Sequence, residues 1–322
     1  MMQPRRAADH ISEHPAVRAW AMLHPRSNEP AAVETIKESS SSSVYRLVGV
    51  PRYGRIIAKW CEREGAATER SVYRDVLPRV PVAAPRYHGT TDGNDAEHAW
   101  LFLEDAAGEP YSASLAAHRR CAARWLATMH AATAAGGTNP GLPGREPGYY
   151  RGQLRRARET ILGNCANPAL RADEVKVLEA LVAHCERLEA AWQTVERQCH
   201  GIPESVVHGD FVEKNMRVRS DPRAIVLLPF DWEVAGWGIA AADLAECPDL
   251  AAYWQVAREW WPHCTVGDLE RVAAIGRVFR LIDAIGWASD GLDNPWTHRA
   301  MESLRCYVAD MAAICSVVTT KD

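Results

Sequence analysis

Between residues 31 and 61 apolar and polar positions alternate in three short runs, and turn residues separate them. Ala32 to Ile36 alternates, Ser39 to Ser43 breaks the pattern, and Val44 to Val48 resumes it. Pro51 and Gly54 then turn the chain into Arg55 to Trp60. This predicts strand, turn, strand, turn, strand. Residues 66–78 read as a helix that stops before Pro81, and Trp100 to Leu103 as a short buried strand ahead of the linker Glu104 to Gly108. Beyond the linker the period changes. Leu115, Ala122, Trp125, Leu126 and Met129 share a helix face, and residues 136–148 carry the Gly and Pro of a loop. A long amphipathic helix follows, marked by Val175, Leu178, Leu181, Val182, Cys185, Leu188, Trp192 and Val195. Val206-Val207 and Ala224 to Phe230 fit buried strands, and Leu269, Val272, Ile275, Phe279, Ile282 and Ile285 fit another helix. A small β-rich front and a large, mainly helical rear make an α+β pattern of two lobes. The first lobe is expected over 1–105, with an extension at 1–30 and a hinge near 101–107. The second is expected over 106–322.

Composition narrows the function. The 322-residue chain is 47% apolar and 24% charged, which suits a folded protein with its own core. A formal charge of -4 excludes a strongly basic nucleic-acid binder and a polybasic membrane anchor. No run of about 18 apolar residues predicts a transmembrane helix, and no apolar stretch behind the polar N-terminus reads as a secretory signal. Nine scattered cysteines without a Cys-x-x-Cys pair point to reduced thiols in a cytoplasm and away from a zinc ribbon. Lysine is scarce: Lys37, Lys59, Lys176, Lys214 and Lys321 are the whole set.

The sharpest chemistry lies in His208-Gly209-Asp210-Phe211-Val212-Glu213-Lys214-Asn215, followed by Phe230-Asp231-Trp232-Glu233. If residues 207–219 form a loop and 224–230 a returning strand, Asp210, Asn215 and Asp231 converge. Asp and Asn oxygens are hard ligands suited to magnesium, and a carboxylate left beside them can accept a proton from a hydroxyl.

These residues resemble the aminoglycoside phosphotransferase and choline kinase family, which has a bilobal protein-kinase-like fold. The resemblance covers about residues 30–310. It implies that Asp210 is the catalytic base and that Asn215 and Asp231 bind Mg²⁺. It also implies that Asp243, in Asp243-Leu244-Ala245, braces the catalytic loop. In the front lobe it implies that Lys59 meets the α/β-phosphates of ATP or GTP. Glu69, in Glu69-x-x-x-Tyr73, would hold that lysine, with Glu62 and Glu64 as competitors. The phosphate-covering loop would be Ser39 to Ser43, with Ser40, Ser41, Ser42 and Ser43 offering N–H and hydroxyl donors. Main-chain groups at Glu104 and Ala106 would meet the base at the hinge. His130 and His208 read as packing and bracing residues.

Only 12 positions separate Asp231 from Asp243, too few for a peptide-docking segment. The interval from His130 to His208, with a helical insert at 138–200 and with Tyr149 and Tyr150, suits a small acceptor. Residues 281–298 hold Asp283, Asp290 and Asp293 with Trp287 and Trp296 and no Lys or Arg. Carboxylates there would bind a cationic acceptor and tryptophans would stack on a sugar or base.

The expectation is an ATP-dependent O-phosphotransferase acting on a small-molecule hydroxyl, as a monomer or homodimer. The acceptor is expected to be an antibiotic of aminoglycoside, nucleoside or other glycosylated type. The alternatives are a metabolic kinase for choline, a sugar or an amino alcohol, and a non-catalytic nucleotide-binding regulator. A metallohydrolase built on His208 and Asp210 lacks further ligands at ligand spacing.

Overall fold

The computed structural model describes residues 11–26, 29–39, 41–93, 95–220, 225–294 and 296–319. Ser40 therefore lies outside the described residues, as does Ala224 at the head of one expected strand. In chain order the helices are α1 (Pro15–Leu23), α2 (Arg63–Ser71), α3 (Ala116–Ala135), α4 (Pro147–Asn164), α5 (Ala172–Ala190), α6 (Trp192–Cys199), α7 (Ala241–Ala245), α8 (Leu250–Ala257), α9 (Val266–Ser289) and α10 (His298–Thr319). The strands are β1 (Ala32–Glu38), β2 (Ser43–Val50), β3 (Gly54–Glu62), β4 (Tyr87–Asp92), β5 (His98–Glu104), β6 (Glu109–Pro110), β7 (Glu204–Val207), β8 (Met216–Ser220), β9 (Ile225–Pro229) and β10 (Gly236–Ile239). They form two compact units. One comprises Met1–Ala132, Pro140–Leu142 and Asp210–Ala235, the other Thr133–Asn139, Pro143–Gly209 and Gly236–Asp322.

In the first unit β1 to β5 form an antiparallel sheet in the order β1-β2-β3-β5-β4. The three runs read from the alternation are β1, β2 and β3. Successive side chains of a strand point to opposite faces, so β3 serves both. Ile56 and Ala58 join Leu47, Val50, Trp100 and Phe102 in a core that α1 covers with Ala16, Val17, Ala19 and Trp20. Cys61 packs on the other face with Ala66 of α2 and Ala99 of β5. Lys59, two residues before Cys61, shares that face with α2. The expected helix at 66–78 begins earlier, at Arg63, widens into a π-helical turn at Val72–Val76 and then tightens into a 3₁₀ turn at Leu77–Arg79.

In the second unit, the helix expected over 175–196 is two helices, α5 and α6, with Ala191 between them. The long α9 is its axis. Tyr150 of α4 stacks on Phe279 with centroids 3.9 Å apart. Gly276 lets α7 approach closely, since a Cβ there would lie 1.8 Å from the Ala241 carbonyl oxygen. Among the described residues no helix is long and apolar enough to cross a membrane.

The packing of α1 makes a stability prediction. Trp20 is buried against Phe102, with ring centroids 5.4 Å apart. Removing a buried Trp leaves a cavity, so Trp20→Ala should cost about 3–5 kcal/mol in denaturant unfolding. A loss below about 1 kcal/mol would show that α1 does not contribute to the core.

Candidate functional site

The hairpin β8–β9 explains how residues far apart in sequence become neighbours. Its register pairs Met216 with Pro229, so the residues just outside it, Asn215 and Phe230, face each other. The Phe230 N–H donates to the Asn215 carbonyl at 3.0 Å. Asn215 thus stands at the same end of the hairpin as Asp231. The Asn215 amide nitrogen donates to the Asp210 carbonyl at 3.0 Å and to Asp210 Oδ2 at 2.9 Å. With its NH₂ committed, Asn215 would offer a metal its Oδ1. Each of the two aspartates is followed by an aromatic ring on a common floor. Phe211 and Trp232 lie 5.9 Å and 6.0 Å from the Trp125 ring of α3. Trp125 is itself tied to the Ala83 carbonyl through Nε1 at 2.8 Å.

The backbone is special at two points. Gly209 has φ +80°, where a side chain is strained, so the glycine of His-Gly-Asp has a local cause. Asp231 has φ +72°, a left-handed conformation that Asp tolerates better than most residues. In the second unit, Asp243 accepts the N–H groups of His208 at 2.7 Å and Gly209 at 2.8 Å. Arg280 of α9 donates to the Gly209 carbonyl. Both polar backbone groups of Gly209 are therefore held. The His208 and His130 rings are fully buried.

Lys59 gathers three carboxylates. Its Nζ lies 2.5 Å from Glu69 Oε1 and 3.0 Å from Glu233 Oε2, and it also bonds Asp231 Oδ1. Glu69 thus reaches the lysine from α2; for Glu62 and Glu64 no contact with it is seen. Burial opposes the charge of Lys59, but Glu69, Asp231 and Glu233 outweigh it and raise the ammonium well above its ordinary range. One ammonium cannot neutralise three acids. Burial, only partly offset by Lys59, together with the other acids pushes Glu69 up to about 7. Carboxylate oxygens of Glu69, Asp231 and Glu233 all lie within 4.8 Å of one another. These carboxylates offer oxygen donors, which suit magnesium rather than zinc.

The remaining expected site residues are placed as follows. Ser39 and Ser42 bond each other, through Oγ to the Ser42 carbonyl at 2.8 Å and from the Ser42 N–H at 3.1 Å. Ser41 is exposed and Ser43 is buried at the start of β2. At the hinge, Glu104 accepts from the Arg86 N–H at 3.1 Å and from Arg219 at 2.6 Å. The Ala106 carbonyl also accepts from Arg219, at 2.6 Å, so this carbonyl already has a donor. On α9 Asp283 is buried, and its charge acts on Tyr149 and Tyr150. Trp287 is half exposed beneath the Arg280 guanidinium, and Trp296 is 77% exposed. Asp293 accepts from the Asn164 amide at 2.9 Å, and burial, then Asp293, raises Asp290.

Three residues were not read from the sequence. Glu233 joins Lys59 across 174 positions; its signal is its place two residues after Asp231, on the same loop. Lys37 reaches Ser42 Oγ at 2.9 Å and brings a cation to the serine loop. Arg219 clamps residues 104–106, and nothing local in the sequence marks it.

Glu69 makes stability pH-dependent. Its folded value of about 7 lies above the ordinary 4.5, so the folded state holds the proton more tightly. That contribution is full below about pH 4.5 and is lost as pH rises through 7. Glu69→Gln keeps the shape without titrating. Relative to the native chain its stability should therefore improve between pH 4.5 and 7.5, by up to about 3 kcal/mol in urea unfolding. A difference independent of pH would mean that Glu69 stays ionised throughout.

Residues 32–271 match the model of the phosphotransferase enzyme family. Among curated proteins none matches the chain. Of solved structures, a Ralstonia eutropha protein described as an aminoglycoside phosphotransferase superposes with a TM-score of 0.65 at 17% identity, over 95% of this chain and 98% of its own. The macrolide 2'-phosphotransferase of Brachybacterium faecium gives 0.58 at 17% identity, over 89% and 97%. The choline kinase of Cryptosporidium parvum gives 0.57 at 13% identity, over 89% and 90%. At such identities the likeness is one of fold, the protein-kinase-like fold with an antiparallel sheet in the N-terminal part and mainly helices in the C-terminal part. With the family match running over about three quarters of its length, the chain belongs to the phosphotransferase enzyme family.

Proposed function

We propose that this phosphotransferase is a small-molecule kinase that moves the γ-phosphoryl group of ATP or GTP to a hydroxyl of an antibiotic, in resistance or self-protection. The observation that carries the reading is the convergence of Asp210, Asn215 and Asp231 at one end of the β8–β9 hairpin, with Asp231 bonded to Lys59. Lys59, held by Glu69, is the cation that meets the α/β-phosphates. Asn215 and Asp231 would hold Mg²⁺. When bound, the metal supplies positive charge to the β/γ-oxygens. Asp210 accepts the proton of the attacking hydroxyl, and the Asn215 amide fixes the orientation of its carboxylate. Such catalysis is mostly positioning and charge stabilisation.

Support for the antibiotic acceptor comes from the fold shared with the Ralstonia eutropha and Brachybacterium faecium proteins. The choline kinase among the solved structures supports a second reading, an amino-alcohol acceptor. Nine cysteines without a Cys-x-x-Cys pair fit a reducing compartment, and we place the reaction in the cytoplasm.

A panel of aminoglycosides, macrolides, nucleoside antibiotics, choline and ethanolamine, each incubated with ATP and Mg²⁺, tests the reading by mass. A gain of one phosphate on an antibiotic supports it; a gain on choline or ethanolamine alone replaces it with the second. With the acceptor in hand, Asp210→Asn should lose about 10²–10⁴-fold in kcat while nucleotide affinity holds. Asp231→Ala should abolish turnover. Near-native kcat in Asp210→Asn would remove Asp210 from the role of base.

A further inference from the structure

The first unit holds a cavity of about 540 Å³ that the transfer described above does not use. It lies where the chain leaving α1 meets the turn between β2 and β3, and α1 covers the sheet face opposite Lys59. Leu23, Pro25 and Pro51 give the cavity apolar walls, and His24, Arg26, Arg52 and Tyr53 supply its polar groups. No acid stands among these seven residues. Arg26 and Arg52 are both exposed, and neither has a counter-ion among the described residues.

The carbonyls that end α1 account for a cation at Arg26, because a helix C-terminus carries partial negative charge. They do not account for Arg52, which comes from another loop. Its φ of +70° is a left-handed conformation that glycine or asparagine adopts with less strain. The turn thus carries a guanidinium where the backbone favours a smaller residue. His24 is fixed by rings, with its centroid 4.0 Å from that of Trp20 and 5.5 Å from that of Tyr53. Its Nε2 is enclosed and meets no hydrogen-bond partner among the described residues. An enclosed polar atom without a partner is costly, and the fold leaves one on a residue that lines this cavity. Two guanidinium forks match a dianion with several oxygens better than they match a single carboxylate. A phosphate monoester is such a dianion near neutral pH. The volume suits a small molecule, so the Tyr53 ring and the apolar walls are left to an organic group.

We propose that this cavity is a second binding site, for a phosphate monoester, with Arg26 and Arg52 on the phosphate and Tyr53 against its organic group. The site is separate from the transfer and stands whether or not the kinase reading holds. Titration calorimetry on the full chain at fixed ionic strength tests it with phenyl phosphate and inorganic phosphate as probes. Phenyl phosphate should bind about fivefold more tightly than inorganic phosphate, through the Tyr53 ring. Arg52→Gly removes the guanidinium and suits the positive φ, so the variant keeps the turn and should weaken phenyl phosphate about tenfold. Arg26→Gln should weaken it to a similar degree. Arg52→Lys keeps the charge without the fork and should lose less. Arg79→Gln removes an exposed arginine that does not line the cavity and should change nothing. Native affinity in both Arg52→Gly and Arg26→Gln would place the binding elsewhere on the chain and overturn the proposal. Absence of binding to the native chain would overturn it as well. Equal affinities for the two probes would replace the monoester with free phosphate.

Discussion

The burial of one ammonium among three carboxylates governs this molecule. Lys59 cannot sit in the interior of the first unit unpaired, because an isolated buried charge is far costlier than a paired one. Its partners come from three places: Glu69 from α2, and Asp231 and Glu233 from the loop after β9. The pairing therefore joins the β1–β5 sheet, α2 and the loop after β9 at one point. It also leaves an excess of negative charge there, which adds to the burial that makes Glu69 reluctant to ionise. A site of this sign repels a nucleotide's phosphates unless a divalent cation arrives with them.

Electrostatics alone would not hold the hairpin in register. The rings of Phe211 and Trp232 both rest on Trp125, so each aspartate is followed by an apolar anchor on the same helix. The anchors set position and the polar contacts set orientation. Asn215 turns the Asp210 carboxylate, while Asp243 and Arg280 fix the peptide unit before it.

Much of this is legible in sequence, and the reason is geometric. Strand alternation over 31–61 is a period-two signal and yields β1 to β3 directly. The apolar run up to Phe230 reads as a returning strand, but the loop expected over 207–219 ends in β8, whose Met216-Arg217-Val218-Arg219 carries too much charge to stand out. What escapes is what depends on long-range packing. Helix α1 shows only a short apolar face, Ala16, Val17, Ala19 and Trp20, too brief to stand out. Glu233 and Arg219 act at a distance, and no local pattern announces their partners. Periodicity marks Asp283 and Trp287 alike as part of one helix, yet it does not tell that the first is buried and the second half exposed.

The chain path through the hairpin has a consequence for engineering. Residues Asp210–Ala235 belong to the first unit, but their two flanks pair as β7 and β10 in the second, with Val207 opposite Gly236. The ends of this excursion are therefore already closed, and loop length enters closure entropy only logarithmically. Ser220 and Ile225 pair at the end of the hairpin away from Asn215 and Asp231, so residues inserted beyond that pair leave the register from Met216 to Pro229 to the β8–β9 bonds themselves. That point offers a site for a peptide tag or a fluorescent reporter, carried on the same β-ribbon as Asn215 yet at its far end.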